Sequence, residues 1–493
     1  VFAIDDIKFM TGYNIEPVIA TESSVIKTIQ AFYGGGAAAT PQNAENFSIE
    51  AKDYTLADEM EDDFMDEKQD SPLVSVEDFD TVVGDALEDV DVVEEQEEEG
   101  GIQDVAAPIV KLVNGILVNA IKVGASDIHV EPFETVFRIR LRIDGVMRTI
   151  MNLPTKIKNA VVSRLKIMSK LDIAERRLPQ DGRIKLKLGK KKEVDFRVST
   201  LPCLFGEKVV MRIFDPDIVV KAFSQLGLSA TEETSWRAMI ERPYGIVLVT
   251  GPTGSGKTTT LYSTLKYLAR PELNVCTVED PIEMVAPEFN QMQIQPAVGL
   301  DFANGVRTLL RQDPDIIMVG EIRDLDTAQM TIQAALTGHL VLSTLHTNDA
   351  PSAVTRLLDL GIPHYLIQST MAGVVAQRLL RTLCPHCKAP GELDQAGWKA
   401  LTADFDNSPP AANYVAVGCL ECRHTGYLGR TGVYEMMPLS SSLRALIGPD
   451  YSSTKLRDTA LHEGMRPLRL SAADAIRRGL TTISEGLSVV QVY

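Results

Sequence analysis

Two kinds of hydrophobic periodicity divide the chain. In APIVKLVNGILVNAIKVGA (107–125) and TKIKNAVVSRLKIMSKLD (155–172) apolar side chains recur at helical spacing, so each predicts a helix with one buried face. FRIRLRIDGVMRTI (137–150) and RIKLKLGKKKEVDFRVST (183–200) alternate apolar and polar positions, which predicts strands covered on one side, the second turning at Gly189–Lys192. Residues 102–215 therefore read as one α/β domain. Farther on, short continuous apolar runs replace alternation: IVLVT, NVCTVED, DIIMVGE and HLVLSTLHT, with helical stretches between them. Buried strands alternating with helices predict a mostly parallel sheet covered by helices. No internal repeat interrupts this order.

The first hundred residues look different. Residues 1–33 predict the end of a small α/β unit, with a helical DDIKFMTG, a strand IEPVIA and a helix ESSVIKTIQAFY. The chain starts without Met, so sequence completing that unit is expected upstream. From GGGAAATPQN onward apolar content drops and acid accumulates: between Asp53 and Glu99 stand 21 Asp or Glu and one Lys. Too little apolar surface is present there to offset ordering entropy, so 34–100 is expected to be a flexible acidic linker.

That segment accounts for the net charge of −18, because the rest of the 493 residues hold 48 basic and 46 acidic side chains. No basic patch emerges from composition, and no nucleic acid is expected as a partner. No apolar run approaches the ~20 residues that span a bilayer, and no signal peptide opens the sequence. A cytoplasmic protein is expected.

The candidate chemistry sits mainly in the second half. Gly251, Pro252, Thr253, Gly254, Ser255, Gly256, Lys257 and Thr258, running on into Thr259, follow the strand YGIVLVT and precede the helix TTTLYSTLKYL. Glycines at this spacing let successive backbone N–H groups curl around phosphate oxygens at the anion-favouring end of a helix. Lys257 is expected to reach the β- and γ-phosphates of ATP and the Thr258 hydroxyl to hold Mg2+. DPDIIMVGE ends a buried strand on Glu321, where open α/β sheets build their sites, and a carboxylate there can orient an attacking water. Glu279, Asp280 and Glu283 form a second acidic cluster that offers magnesium ligands. His339 and His346 bracket the strand LVLSTL, and a histidine near the γ-phosphate would report nucleotide state.

Six cysteines divide into two sets. Cys203 and Cys276 stand alone in apolar contexts and are expected in the core. Cys384 and Cys387 form one x2-spaced pair and Cys419 and Cys422 another, the two pairs separated by 31 residues. Four thiolates so spaced suit closed, tetrahedral Zn2+. His386 and His424 lie nearby, but four cysteines already fill the shell.

Taken together, GPTGSGKTTTLY, VEDPIE, RQDPDIIMVGEIRD and GHLVLSTLHTNDA resemble the motifs of the secretion ATPase superfamily of type II secretion and type IV pilus assembly, in its GspE/PilB branch. GASDIHVEP, RRLPQDGR, FRVSTLP and GEKVVMRIFD match upstream, and AQRLLRTLCPHCK and GCLECRHTGYLGRTGVYE downstream, so the likeness covers about 102–490. It implies a RecA-like P-loop ATPase domain over 216–493, including a zinc segment at 384–434 and a helical C-terminus, preceded by a PAS-like α/β domain over 102–215. It also implies a homo-hexamer with nucleotide bound between these domains, acting on an inner-membrane platform protein from the cytoplasmic side. The residues matching family positions are Glu321 as catalytic, Glu283 as organiser of magnesium and water, and His339 and His346 near the nucleotide. Arg197 and Arg212 match its arginine fingers, with Arg183 a weaker candidate; Asp127 and His129 match a signature read as structural. Assembly and secretion members often carry the metal segment, which retraction members typically lack. The function expected is ATP-driven assembly of a type IV pilus or a secretion pseudopilus, with a nucleic-acid ring motor and a non-hydrolysing nucleotide sensor as alternatives.

Overall fold

In a computed structural model, the described residues are 90–92, 107–188, 192–214, 220–403, 405 and 408–490. Two seven-stranded sheets organise them. The expected unit at 1–33 lies outside the described residues, as does most of the expected linker at 34–100. Within that linker stretch, however, Val90–Val92 forms a strand (β1).

The first sheet is antiparallel throughout. After β1 and helix α1 (Ala107–Lys122) come β2 (Ala125–Pro132), β3 (Phe137–Ile143) and β4 (Val146–Leu153). Helix α2 (Lys158–Met168) then leads to β5 (Gln180–Leu188), β6 (Lys192–Cys203) and β7 (Gly206–Phe214). The order across the sheet is β1-β5-β6-β7-β2-β3-β4. Alternation does what it predicts in β3: Phe137, Ile139, Leu141 and Ile143 are buried, while Arg138, Arg140 and Arg142 stand between them on the other face. The buried side chains join Leu117 of α1 and Val161 and Leu165 of α2 in one core. The outer face stays polar. Cys203, expected in the core, is exposed, because it ends β6 at the hairpin to β7 rather than inside a strand.

The second sheet carries the apolar runs. Helix α3 (Ala230–Ile240), opened by a capping box between Ser229 and Glu232, precedes β8 (Gly245–Thr250), and α4 (Lys257–Leu268) follows it. Next come β9 (Val275–Glu279), β10 (Asn290–Gln293), α5 (Phe302–Leu309), β11 (Ile316–Val319), α6 (Leu325–Leu336) and β12 (Leu340–Leu345). Helices α7 (Ala350–Asp359) and α8 (His364–Thr370) lead into β13 (Met371–Leu383), and β14 (Ala389–Pro390) pairs with β15 (Tyr414–Val415) in the excursion before β16 (Tyr427–Pro438). Strand order is β10-β9-β11-β12-β8-β13-β16, parallel except for β16. Val247 and Val249 face a core with Trp236 and Leu261, and Ile246 and Leu248 face one with Val306 and Val341. A sheet buried on both faces needs a near-continuous apolar run, and Ile246 to Val249 of β8 supply it, while buried Thr250 at the strand end is satisfied by hydrogen bonds.

Four helices between Ser441 and Val489 complete the chain. No helix among the described residues is long and apolar enough to cross a membrane.

Candidate active site and metal centre

Parallel strands aim their carboxyl ends at one edge, and three loops meet there. The first, after β8, is the glycine-rich turn. Gly251 (φ +148°) and Gly256 (φ +87°) have backbones that side chains rarely allow, and Cβ atoms there would fall 2.5 Å from the Gln377 carbonyl oxygen and 2.8 Å from its Nε2. Gln377, buried on β13, also accepts the Thr260 hydroxyl at 2.8 Å, so it underlies the loop from end to end. Thr253, Gly254 and Thr258 are exposed. Ser255 Oγ is buried without a hydrogen-bond partner among the described residues, and the Lys257 ammonium donates to the loop's own Gly251 and Pro252 carbonyls at 2.8 and 3.1 Å. Burial pushes the Lys257 ammonium down to about 8; Glu321 opposes that shift and the Arg378 charge adds to it. A cradle with a depressed cation and an orphaned hydroxyl fits polyphosphate.

The second loop, after β11, presents Glu321. Its carboxylate pairs with Arg323 and lies 3.6 Å from His346 Nε2, which comes from the third loop, after β12. Burial and the Lys257 charge lower the His346 pKa, which keeps its ring neutral at neutral pH. Thr250 Oγ1 locks the third loop to β8 through the Thr347 hydroxyl at 2.7 Å and the Leu345 carbonyl at 3.0 Å.

His339 is not brought to this edge. It precedes β12, so the full strand separates it from His346, roughly 20 Å at ~3.3 Å per residue. Its Nδ1 instead meets the Ala334 carbonyl at 2.8 Å at the end of α6. The expected place for His339 beside the nucleotide is therefore corrected.

The acidic cluster after β9 splits by environment. Glu279 is buried and already accepts the hydroxyls of Tyr262 and Thr277, both at 2.6 Å. Asp280 is partly exposed, with Arg323 3.9 Å away. Glu283 turns toward the antiparallel sheet: Arg197 Nη1 donates to its carboxylate at 3.3 Å and Nη2 to the Ile282 carbonyl at 2.9 Å. Burial raises the Glu283 pKa, opposed by the charges of Arg197 and Arg212. Arg183 reaches Gln293 across the same junction at 3.3 Å. Arg212 pairs with Asp127 inside its own sheet, and neighbouring His129 has a buried Nδ1 with no hydrogen-bond partner among the described residues.

Gln377 and Arg378 were missed by sequence reasoning. Arg378 donates to the Asn348 carbonyl at 3.0 Å, tying β13 to the loop after β12. Two adjacent polar residues inside the apolar MAGVVAQRLL were the available signal.

The four clustered cysteines converge where β13 ends and β16 begins. Their sulfurs lie within 4.8 Å of one another, with 3.9 Å from Cys384 to Cys419, 3.7 Å from Cys387 to Cys422 and 3.7 Å from Cys419 to Cys422. A tetrahedral ion at ~2.3 Å from each sulfur sets them ~3.8 Å apart, so the set fits zinc. Burial opposes ionisation of Cys422, but N–H donors from Cys419 and Gly426, each at 3.2 Å, and the adjacent thiols hold it down to about 6. Neither His386 nor His424 belongs to the cluster.

Comparison with known proteins places these features. The chain is 55% identical to the type IV pilus assembly ATPase TfpB of Acinetobacter baylyi over 78% of its length and 65% of that relative. It is 47% identical to the pilus assembly ATPase PilB of Myxococcus xanthus over 98% of its length and 80% of that protein, and 49% identical to the type II secretion system ATPase E of Vibrio cholerae over 78% and 76%. Among solved structures, the ATPase DotB of Legionella pneumophila shares the fold with a TM-score of 0.58 at 21% identity, covering 79% of this chain and 96% of that one. The pilus retraction motor PilT with bound ADP gives a TM-score of 0.51 at 25% identity, covering 76% and 95%. The RecA-like P-loop fold expected from the sequence is thus borne out. The type II/IV secretion system protein model matches residues 103–488, and the chain belongs to that family.

Proposed function

We propose that the chain is the ATP-hydrolysing subunit of a motor that assembles a type IV pilus or a secretion pseudopilus. The observation that carries this reading is the convergence of Lys257, Glu321 and His346 on one sheet edge, behind a loop fitted to phosphate. Gly251, Pro252, Thr253, Gly254, Ser255, Gly256 and Thr259 wrap the phosphates with Lys257. Thr258 would hold magnesium and Glu283 would help organise the ion and its water; magnesium there would supply neutralisation of phosphate charge. Glu321 orients the attacking water and takes its proton, while neutral His346 hydrogen-bonds near the γ-phosphate. Arg197 and Arg212 bring positive charge from the antiparallel sheet, so hydrolysis depends on how the two sheets close. Cys384, Cys387, Cys419 and Cys422 hold one structural zinc. Six copies form a ring that displaces a platform protein from the cytoplasmic face of the inner membrane.

Glu321→Gln tests this directly. The amide keeps shape and hydrogen bonding but not basicity, so ATP binding is retained and turnover falls ~10²-fold or more. Turnover within about threefold of wild type would sink the assignment, and a wild-type chain that binds ATP without hydrolysing it would favour a sensor.

A further inference from the structure

Cross-strand register places four charged residues in one row on the outer face of the antiparallel sheet. Asp127 on β2 stands opposite Arg212 on β7, Arg212 opposite Arg197 on β6, and Arg197 opposite Arg183 on β5. Like charges directly opposite one another destabilise a sheet, so what each guanidinium meets decides whether the row is tolerable. Arg183 reaches Gln293, and Arg197 has both terminal nitrogens on the acidic cluster. Arg212 is held differently. It meets Asp127 through Nε alone, at 3.0 Å, and no hydrogen bond among the described residues engages its Nη groups.

The contrast with Arg140 makes the point. Arg140 closes its fork on Glu131 with Nε at 2.7 Å and Nη2 at 2.8 Å, leaving little for another ligand. Arg212 is 56% exposed beyond its contact, whereas the Asp127 side chain is 8% exposed and fixed by the Ser126 hydroxyl at 2.8 Å, with Arg142 Nε 3.6 Å away. A buried carboxylate gripping only the inner nitrogen fixes the guanidinium and leaves its outer edge, the bidentate phosphate-binding edge, open. Arg212 stands opposite Arg197, whose guanidinium donates to Glu283, so the row of arginines leads to the acidic cluster.

We propose that Asp127 is a positioning residue that presents Arg212 to the transferring phosphoryl group. This replaces the structural role read from the sequence and rests on the nucleotide site proposed above. Asp127 touches no reacting atom; it acts through Arg212. A double-mutant cycle on the full chain separates this from a merely structural role. Asp127→Ala is expected to lower kcat about tenfold with KM for ATP changed less than threefold, and Arg212→Ala to lower kcat at least as much. The double variant should be no slower than Arg212→Ala within about twofold, since the carboxylate has nothing left to position. Additive losses overturn the proposal, and so does an Arg212→Ala variant with wild-type kcat; in the latter case the nucleotide site still stands or falls separately on Glu321→Gln. Where Asp127→Ala lowers Tm, the cycle is run with Asp127→Asn, which keeps volume and one acceptor but loses the charge. Its expected loss is about threefold, absent from the Arg212→Ala background. No loss, or a loss that persists in that background, overturns the assignment.

Discussion

The phosphate loop and the cysteine cluster lie in one family core but satisfy their polar groups in opposite ways. At the cluster, every sulfur has another sulfur within 4.8 Å, and backbone N–H groups point at Cys387 and Cys422. At the loop, Lys257 folds back onto its own carbonyls and Ser255 Oγ has no described partner. The first set is closed by residues already in place and suits a permanent ion. The second keeps unmet capacity, which suits a ligand that arrives, reacts and leaves.

The comparison breaks most visibly at Lys257. Lys257→Ala removes the ammonium but leaves the glycine turns, so the fold should survive and nucleotide binding should not. We expect ATP affinity to fall ~10²-fold or more, because a charge-assisted contact to polyphosphate is lost from a partly buried site. Isothermal titration checks it, and affinity within threefold would show that the backbone alone holds the phosphates.

The converse cut is Cys384→Ser. Metal content should fall below ~0.2 zinc per chain, since three thiolates bind far more weakly than four and binding is coupled to local folding. The lobe between β13 and β16 should become protease-sensitive. ATP affinity should stay within about threefold, because the phosphate loop hangs from β8 and α4. Loss of ATP binding in parallel with zinc would show that the centres are one cooperative unit.

A smaller effect tests the junction. Arg197→Ala should lower hydrolysis about tenfold, and Arg197→Lys should recover little of it, because one ammonium cannot donate to both Glu283 and the Ile282 carbonyl as the planar fork does. Full rescue by Lys would reduce its role to charge.

What was legible follows from how local each signal is. β8, β9, β11 and β12 were readable because strands buried on both faces run nearly continuous in apolar residues, the few polar ones such as Thr277 and Ser343 being hydrogen-bonded inside, and so were the loops that end them. β13 and β16 were not read as strands, since their polar residues serve partners far away in sequence, such as Gln377 beneath the phosphate loop. The two histidines of GHLVLSTLHTND looked alike in sequence. Strand direction separates them: one lies at each end of β12, and only the carboxyl end meets the glycine-rich loop. Asp127 read as structural because its partner Arg212 stands 85 residues away, a relation only sheet register creates.

Glu435 lies level with the base of the phosphate loop and offers the finest test. It sits on β16 opposite Ala376, next to Gln377 on the strand beneath the loop, and its carboxylate accepts the first backbone N–H of two helices, Ala350 at 2.7 Å and Leu468 at 3.4 Å. Burial raises its pKa to about 7, with the Ala350 N–H opposing, the Asp349 charge adding and the Arg457 charge opposing. A carboxyl raised in the folded state stabilises fully below its ordinary value of 4.5 and loses that contribution as pH climbs toward 7. The loss is on the order of 3 kcal/mol and levels off once folded and unfolded chains are both ionised. Glu435→Gln removes the titration but gives up one acceptor, worth about 1 kcal/mol. The variant should therefore be slightly less stable than wild type near pH 5 and more stable near pH 8, with the stability curves crossing in between. Denaturant unfolding at several pH values measures this. Parallel curves would show that Glu435 stays ionised in the fold, held by the two helix ends as an anion.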